Sequence, residues 1–354
     1  MREIRPRYFD AAPDTGRLVC GLCFRRCTIP PGKAGACGVR FNAGGRPALP
    51  RYGHITALAL DPVEKKPLYH WRPGSAILSL GFAGCNFFCP FCQNWRISRD
   101  ADAAGRPVSP EELIARAQEA GVSQIAYTYS EPLIHAEYLF DCMTAAGEAG
   151  MANVLVTNGS ANPRAAEEIL SLTSAANIDL KCFSEKTYRE ILGGDFDTVK
   201  NFIRCACGLG VHVEITTLVV PGLNDAEPEL DRLADFIAGL AESAVHPGMA
   251  GMDDALRNDA SYPPPWHLTA YHPDYRWTVP PPTGKNLHAA ACRARRKLPF
   301  VYTGNTGGEN TTACLCCGAV LAARQGFRVN AGGLVKRGGR WHCAACGAPA
   351  PFRG

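Results

Sequence analysis

From residue 76 onward, apolar positions fall into short continuous runs alternating with helical stripes. Ala76–Phe82 is a mainly apolar run of strand length, the pattern of a strand covered on both faces. Ser109-Pro110-Glu111-Glu112 then carries the signals of a helix start: an N-cap serine, a proline at the first helical position and a glutamate three residues past the cap. Leu113, Ile114, Ala117 and Ala120 continue at helical spacing as far as Gly121. The same alternation predicts strands at Gln124–Tyr129, Asn153–Thr157, Asn177–Phe183 and His212–Val220. Between and after them it predicts helices at Leu133–Ala149, Pro163–Leu172, Glu185–Leu192, Thr198–Cys207 and Glu227–Leu240. The stretch from Glu242 to Pro265, with its Gly, Asp, Asn and Pro, reads as a loop or lid. The pattern resumes with a strand at Trp266–Tyr271, a helix at Lys285–Lys297 and a strand at Phe300–Gly304.

Alternating strands and helices specify an α/β fold with a parallel sheet and right-handed crossovers. Six or seven such units are present, fewer than the eight that close a full barrel. At 354 residues the chain has room for roughly two domains, or for one large barrel with appendages. Its 46% hydrophobic and 20% charged residues exclude a disordered chain. No apolar run reaches the roughly 18 residues of a membrane span. Met1–Arg17 has no apolar stretch, so no signal peptide is expected and a cytoplasmic location is.

Charge and cysteine divide the chain into three. Residues 1–60 carry +7, residues 61–309 carry −9 and residues 310–354 carry +6. Two basic, cysteine-bearing ends therefore bracket an acidic middle, and the expected domains are 1–60, 61–309 and 310–354. The 17 cysteines are too few for a disulfide scaffold in a chain of this length. Without a secretory signal they read as metal ligands. Twelve of them lie in three clusters; Cys142, Cys182, Cys205, Cys207 and Cys292 are scattered and read as small buried hydrophobes.

The central cluster is Gly84-Cys85-Asn86-Phe87-Phe88-Cys89-Pro90-Phe91-Cys92, a C-x3-C-x2-C spacing directly after a predicted strand. Three thiolates can each take one iron of a cubane and leave the fourth iron open. Zinc is the alternative, but a structural zinc closes all four positions and no fourth cysteine lies nearby. With Phe91 just before the third cysteine, the segment resembles the signature of radical S-adenosylmethionine enzymes. Further motifs are Asp61-Pro62-Val63-Glu64-Lys65-Lys66-Pro67-Leu68-Tyr69-His70, Thr128-Tyr129-Ser130-Glu131-Pro132, Asp179-Leu180-Lys181, Val219-Val220-Pro221-Gly222-Leu223-Asn224-Asp225, Trp266-His267, Tyr271-His272-Pro273-Asp274-Tyr275 and Tyr302-Thr303-Gly304-Asn305. Together they resemble the radical component of the AmmeMemoRadiSam system, and the barrel portion is similar to pyruvate formate-lyase activating enzymes.

That resemblance implies a partial (β/α)6 TIM-like barrel. It also implies a [4Fe-4S] cluster on Cys85, Cys89 and Cys92 as the catalytic centre, with S-adenosylmethionine chelated at the open iron. Ser130 and Glu131 match the position that holds the methionine ammonium. Asn158, Asp179 and Lys181 match contacts to the methionyl carboxylate and ribose, and Phe91 should pack by the adenine. Thr217 stands where activating enzymes carry a ribose-contacting histidine, a departure from the family pattern. Read as residues alone, Asp179 and Lys181 could simply pair with each other, Ser130-Glu131-Pro132 could cap a helix, and His267 and His272 could be packing.

At the C-terminal end, Cys314-x2-Cys317 and Cys343-x2-Cys346 are each followed by glycine, a zinc-ribbon pattern. Cys316 is an extra thiol inside the first pair. The N-terminal set Cys20, Cys23, Cys27 and Cys37 is less regular; zinc is the first reading and an auxiliary iron–sulfur cluster the second. Basic, metal-bearing ends suit a nucleic-acid backbone, and Arg293, Arg295, Arg296 and Lys297 add a basic run. The resemblance implies Memo-like and AMMECR-like partner proteins, a reductase such as flavodoxin or ferredoxin, and alkylation of uridine in RNA by carbon–carbon bond formation. A glycyl-radical activase and a non-catalytic zinc-ribbon adaptor for nucleic acid are the alternatives.

Overall fold

A computed structural model describes residues 5–11, 15–243 and 262–354. Nine strands form the main sheet: β1 (His54–Pro62), β2 (Ala76–Phe82), β3 (Arg106–Pro107), β4 (Gln124–Thr128), β5 (Ala152–Thr157), β6 (Ala175–Asp179), β7 (His212–Val219), β8 (Trp266–Ala270) and β9 (Val301–Gly304). Their order is β9-β8-β7-β6-β5-β4-β2-β1-β3. From β2 to β9 every neighbouring pair is parallel. β1 and β3 extend the sheet antiparallel. Helices α1 (Pro110–Glu119), α2 (Ala136–Glu148), α3 (Pro163–Leu170), α4 (Phe196–Gly208), α5 (Glu227–Ser243) and α6 (Gly284–Ala294) make the crossovers.

The helix starts follow side-chain caps. Ser109 Oγ accepts from Glu112 N at 3.1 Å, and α1 buries Leu113, Ile114 and Ala117. Asp195 caps α4 by accepting from Thr198 N at 2.7 Å, which places its start two residues before the expected Thr198. The strand expected over Asn177–Phe183 is shifted to Ala175–Asp179, and the following residues leave the sheet to enter the site. Residues 244–261 of the loop expected over 242–265 lie outside the described residues.

The expected boundary after residue 60 falls inside β1, which pairs with β2 along its length. Residues before β1 lie against α2 through Arg40, whose Nη1 and Nη2 donate to the Glu137 carboxylate at 2.8 and 2.9 Å. Both side chains are buried, so losing one partner would cost about 3–5 kcal/mol. The C-terminal residues form a three-stranded sheet, Glu309–Ala313, Val320–Gln325 and Arg328–Asn330, and a hairpin of Leu334–Arg337 with Arg340–Cys343. They dock where Phe352 stacks on His70 at 4.8 Å and where buried Arg324 lies over the Tyr69 ring. Among the described residues no helix is long and apolar enough to cross a membrane.

Candidate functional site

The carboxyl ends of the parallel strands surround a cleft of about 610 Å³, the end at which parallel α/β folds place their sites. After β2 the chain turns at Gly84, φ +83°, where a Cβ would lie 2.5 Å from the carbonyl oxygen of Cys37. The cysteine loop that follows is anchored by Phe87, buried against the rings of Phe24 and Tyr188, and by Phe88 N donating to Leu192 O at 2.7 Å. Trp95 beyond the loop stacks on Tyr275 at 5.3 Å and donates to Asp274 Oδ1 at 3.1 Å. That contact accounts for the Tyr271–Tyr275 motif, which closes over the cysteine loop.

Cys85, Cys89 and Cys92 all line the cleft, as does Phe91. Their sulfurs do not all lie within 4.8 Å of one another, too open for one tetrahedral ion and suited to a cubane, in which each thiolate takes a different iron. Burial pushes the Cys85 thiol up and that of Cys89 up to about 11. Both must lose their protons to bind metal.

The other expected residues divide between the cleft and its support. Ser130, Asn158, Asp179 and Lys181 line the cleft. Ser130 Oγ is buried and has no hydrogen-bond partner among the described residues. It follows Tyr129, which is held at φ +63°. The Tyr129 hydroxyl joins a buried network in which Lys66 Nζ donates to it at 3.0 Å and to Asp61 Oδ2 at 2.7 Å. The Asp61-to-His70 motif therefore braces the residue that turns Ser130 toward the cleft. Lys181 Nζ donates to Asp179 Oδ2 at 2.9 Å. Burial works against the Lys181 ammonium, but the Asp179 carboxylate and Cys89 beside it hold its pKa above the ordinary lysine value.

Glu131 does not line the cleft. Its carboxylate is buried and accepts from Leu133 N at 3.0 Å, Thr157 Oγ1 at 2.6 Å and Asn158 N at 2.8 Å. It is an anchor for Asn158 and the helix start. Thr217 is also turned away, donating to Leu180 O at 2.7 Å and accepting from Trp266 Nε1 at 2.9 Å. The alternation of strand side chains puts its neighbour Thr216 in the cleft instead, with Oγ1 buried and unpartnered.

Sequence reasoning missed Glu64, Thr216 and Glu214. Glu64 lines the cleft with Oε2 buried and unpartnered. Glu214 is fully buried and holds His267, which lines the cleft, through a 2.7 Å bond to Nε2; its other oxygen meets His212 Nε2 at 3.0 Å. Its signal was a carboxylate inside a buried strand. His272 is exposed and does not line the cleft.

The matching family model is that of the radical SAM superfamily, over residues 80–234. The span holds the cysteine loop and the strand ends that carry Ser130, Asn158, Asp179, Lys181 and Thr216. Residues 80–234 are a radical SAM domain. An uncharacterized protein of Methanocaldococcus jannaschii, MJ0808, is 33% identical over 97% of this chain and 98% of its own. The pyruvate formate-lyase-activating enzyme of Clostridium pasteurianum is 26% identical over 45% of this chain and 68% of its own. The GTP 3',8-cyclase of Rhizobium etli is 30% identical over 42% of this chain and 45% of its own. Radical SAM proteins bind a [4Fe-4S] cluster and S-adenosylmethionine, and the donor set of the cleft fits both: three separated thiols, two unpartnered hydroxyls and a lysine held by an aspartate.

Outside the cleft, Cys314, Cys317, Cys343 and Cys346 lie within 4.8 Å of one another. Cys314 to Cys346 is 3.8 Å and Cys317 to Cys343 3.7 Å. Gly318 and Gly347, at φ +74° and +76°, make the same turn after each pair, with Gly318 N donating to Cys314 O and Gly347 N to Cys343 O, both at 2.9 Å. This set fits one tetrahedral metal ion, and Cys316 is exposed outside it. Of the scattered thiols, Cys142 and Cys182 are buried, Cys205 and Cys207 half-buried, and Cys292 exposed.

The basic run loses much of its force as a binding surface. Arg293 is paired with Asp231 and Glu227 of α5, and Lys297 with Asp235 at 2.6 Å. In the C-terminal module, by contrast, Arg328, Lys336, Arg337 and Arg340 are exposed, and residues 310–354 include no acidic side chain.

Proposed function

We propose that this protein is an enzyme that holds a [4Fe-4S] cluster on Cys85, Cys89 and Cys92, binds S-adenosylmethionine beside it, and modifies RNA. The observation that carries the proposal is the convergence, in one cleft, of the three thiols with Ser130, Asp179, Lys181 and Thr216. When bound there, the cluster and S-adenosylmethionine supply a 5′-deoxyadenosyl radical that abstracts hydrogen. The chain's own part is to place and shield the reactants. Ser130 Oγ would accept from the methionine ammonium, Lys181 would face the methionyl carboxylate, Thr216 Oγ1 would meet a ribose hydroxyl and Phe91 would pack on the adenine. Glu131 keeps Asn158 in place behind them.

RNA is favoured because the C-terminal module, which holds no acidic side chain over residues 310–354, reaches the cleft at Gly326 and Phe327 and exposes Arg328 next to them in sequence. Phe327 lines the cleft and is 55% exposed, the disposition of a ring on which an unstacked base can rest. The sequence motifs favour uridine alkylation with Memo-like and AMMECR-like partners, electrons from a flavodoxin or ferredoxin, and zinc at the C-terminal four-thiol set. A second reading, activation of a glycyl-radical enzyme, draws on the similarity to the Clostridium activating enzyme.

The test is anaerobic reduction of the reconstituted protein with S-adenosylmethionine, followed by 5′-deoxyadenosine. Wild type should form it and Cys89→Ala should not, with the C-terminal metal retained in both. Cleavage by Cys89→Ala would overturn the assignment. Deuterium carried into 5′-deoxyadenosine from deuterated RNA supports the RNA reading; transfer from a glycine-labelled protein and not from RNA replaces it with the activase.

A further inference from the structure

The four N-terminal thiols differ in geometry from the C-terminal four. Among the described residues, the only set of three or more metal-ligating side chains whose donor atoms all come within 4.8 Å is the C-terminal one. Cys20, Cys23, Cys27 and Cys37 stand further apart, as the three cluster thiols of the cleft do. They nevertheless face one space: all four line a single small cavity with Arg25, Arg40 and Asn86. About 10 Å³ remains open between them, close to the room of a water-sized sphere.

The surroundings suit an anionic metal–thiolate group. Arg40 is buried and its Nε donates to Cys20 Sγ at 3.2 Å. Cys37 Sγ faces the backbone N–H groups of Val39 and Arg40, and Cys23 Sγ faces the N–H of Arg25 and the side chain of Asn86. These are the hydrogen bonds to sulfur that tune iron–sulfur centres.

The set also touches the cysteine loop of the cleft at two points. Asn86, which meets Cys23, is the residue after Cys85 and accepts from Asn158 Nδ2 at 3.0 Å. The carbonyl of Cys37 packs on Gly84, the residue before Cys85, so closely that any side chain there would collide with it. One residue on each side of Cys85 is thus in contact with an N-terminal cysteine.

We propose that Cys20, Cys23, Cys27 and Cys37 hold a second [4Fe-4S] cluster, fully ligated by protein and wired to the first through Asn86 and the Gly84–Cys37 contact. A fully ligated cubane has no open iron for S-adenosylmethionine, so its role is to hold and pass a single electron. It would be reduced by an external one-electron donor and reoxidised by the cluster of the cleft, with no bond made or broken. The proposal rests on the radical SAM reading only for the identity of that neighbouring cluster.

The experiment is metal and sulfide analysis with Mössbauer and EPR spectroscopy on the anaerobically reconstituted full-length protein. Two cubanes and one C-terminal ion predict about eight irons and about one zinc per chain. Replacing Cys85, Cys89 and Cys92 together by Ala should leave about four irons and no S-adenosylmethionine cleavage. Replacing Cys23 and Cys27 by Ser should also leave about four irons, now with an EPR signal that S-adenosylmethionine perturbs. Wild type with about four irons and two zincs would make the N-terminal set a zinc site, and about four irons with one zinc would make it empty; either overturns the proposal. Failure of the reading of the cleft shows separately, as an iron content undiminished from about eight in the triple variant or cleavage without the central thiols.

Discussion

Glu131 and Ser130 are adjacent in sequence, yet their variants should fail in opposite ways. Burial pushes the Glu131 carboxyl up to about 7, against hydrogen bonds from Thr157, Asn158 and Leu133. At pH 8 it is ionised and faces those three donors. In Glu131→Gln one carboxylate oxygen becomes an N–H donor. The Thr157 hydroxyl can turn, but the N–H groups of Leu133 and Asn158 cannot, so one donor is left facing a donor. An unmade buried hydrogen bond costs about 1–3 kcal/mol, and that loss should appear in denaturant unfolding of the cluster-free protein at pH 8. S-adenosylmethionine affinity should fall only a few-fold, through looser placement of Asn158.

Ser130→Ala removes a buried hydroxyl that the protein leaves unpartnered, so stability should hold or rise slightly. If the hydroxyl receives the methionine ammonium, a hydrogen bond to a charged group worth about 1.5–3 kcal/mol is lost. That is roughly a 10- to 100-fold weaker dissociation constant, readable by calorimetric titration of the reconstituted protein. Unchanged stability in Glu131→Gln together with abolished binding would return Glu131 to the ligand and refute the anchor role.

Three further outcomes are expected. His70 is buried, its pKa pushed down from 6.5 to about 3 chiefly by that burial. It therefore contributes stability above about pH 6.5 that is lost as pH falls toward 3, and between pH 7 and 5 wild type should lose about 2 kcal/mol more than His70→Asn in matched thermal melts. Equal pH dependence in the two proteins would refute this. Gly84→Ala sets a side chain at φ +83° and 2.5 Å from a backbone oxygen; the left-handed conformation alone costs about 1–2 kcal/mol. Lower melting and slower reconstitution of iron should follow, and a variant indistinguishable from wild type would show that the Gly84–Cys37 approach is not tight. Replacing Arg328, Arg337 and Arg340 by Ala should weaken RNA binding and flatten its salt dependence, each arginine that neutralises a phosphate of a single strand accounting for about 0.7 of the logarithmic slope; an unchanged slope would exclude this face.

The order of strands and helices was legible because fully buried strands read as apolar runs and helix starts carry their own caps. What escaped the pattern was set by contacts distant in sequence. β1 is half-buried and pairs only at the edge of the parallel set, so its apolar run is interrupted and gives no clear strand signal. Glu131 and Thr217 have the residue types of ligand contacts. Period-two alternation argues against one of the pair Thr216 and Thr217, since both cannot face the cleft. For Glu131 only the placement of Thr157 and Asn158, more than twenty residues away, reveals that its oxygens are already occupied.

The two four-cysteine sets show where local sequence does discriminate. Both contain a C-x2-C pair, and spacing alone left zinc open for each. The C-terminal pairs are each followed by a glycine at positive φ, Gly318 and Gly347, which lets the chain double back so that thiols close to 3.7–3.8 Å. At the N-terminal end Phe24 follows Cys23 and Thr28 follows Cys27, and the left-handed residues that adjoin a thiol are Arg26, at φ +43°, and, only after the last thiol, Gly38 at φ +80°. Without glycine after the second thiol the chain does not fold back on its own sulfurs. The four thiols line one small cavity but stand further apart than the C-terminal four.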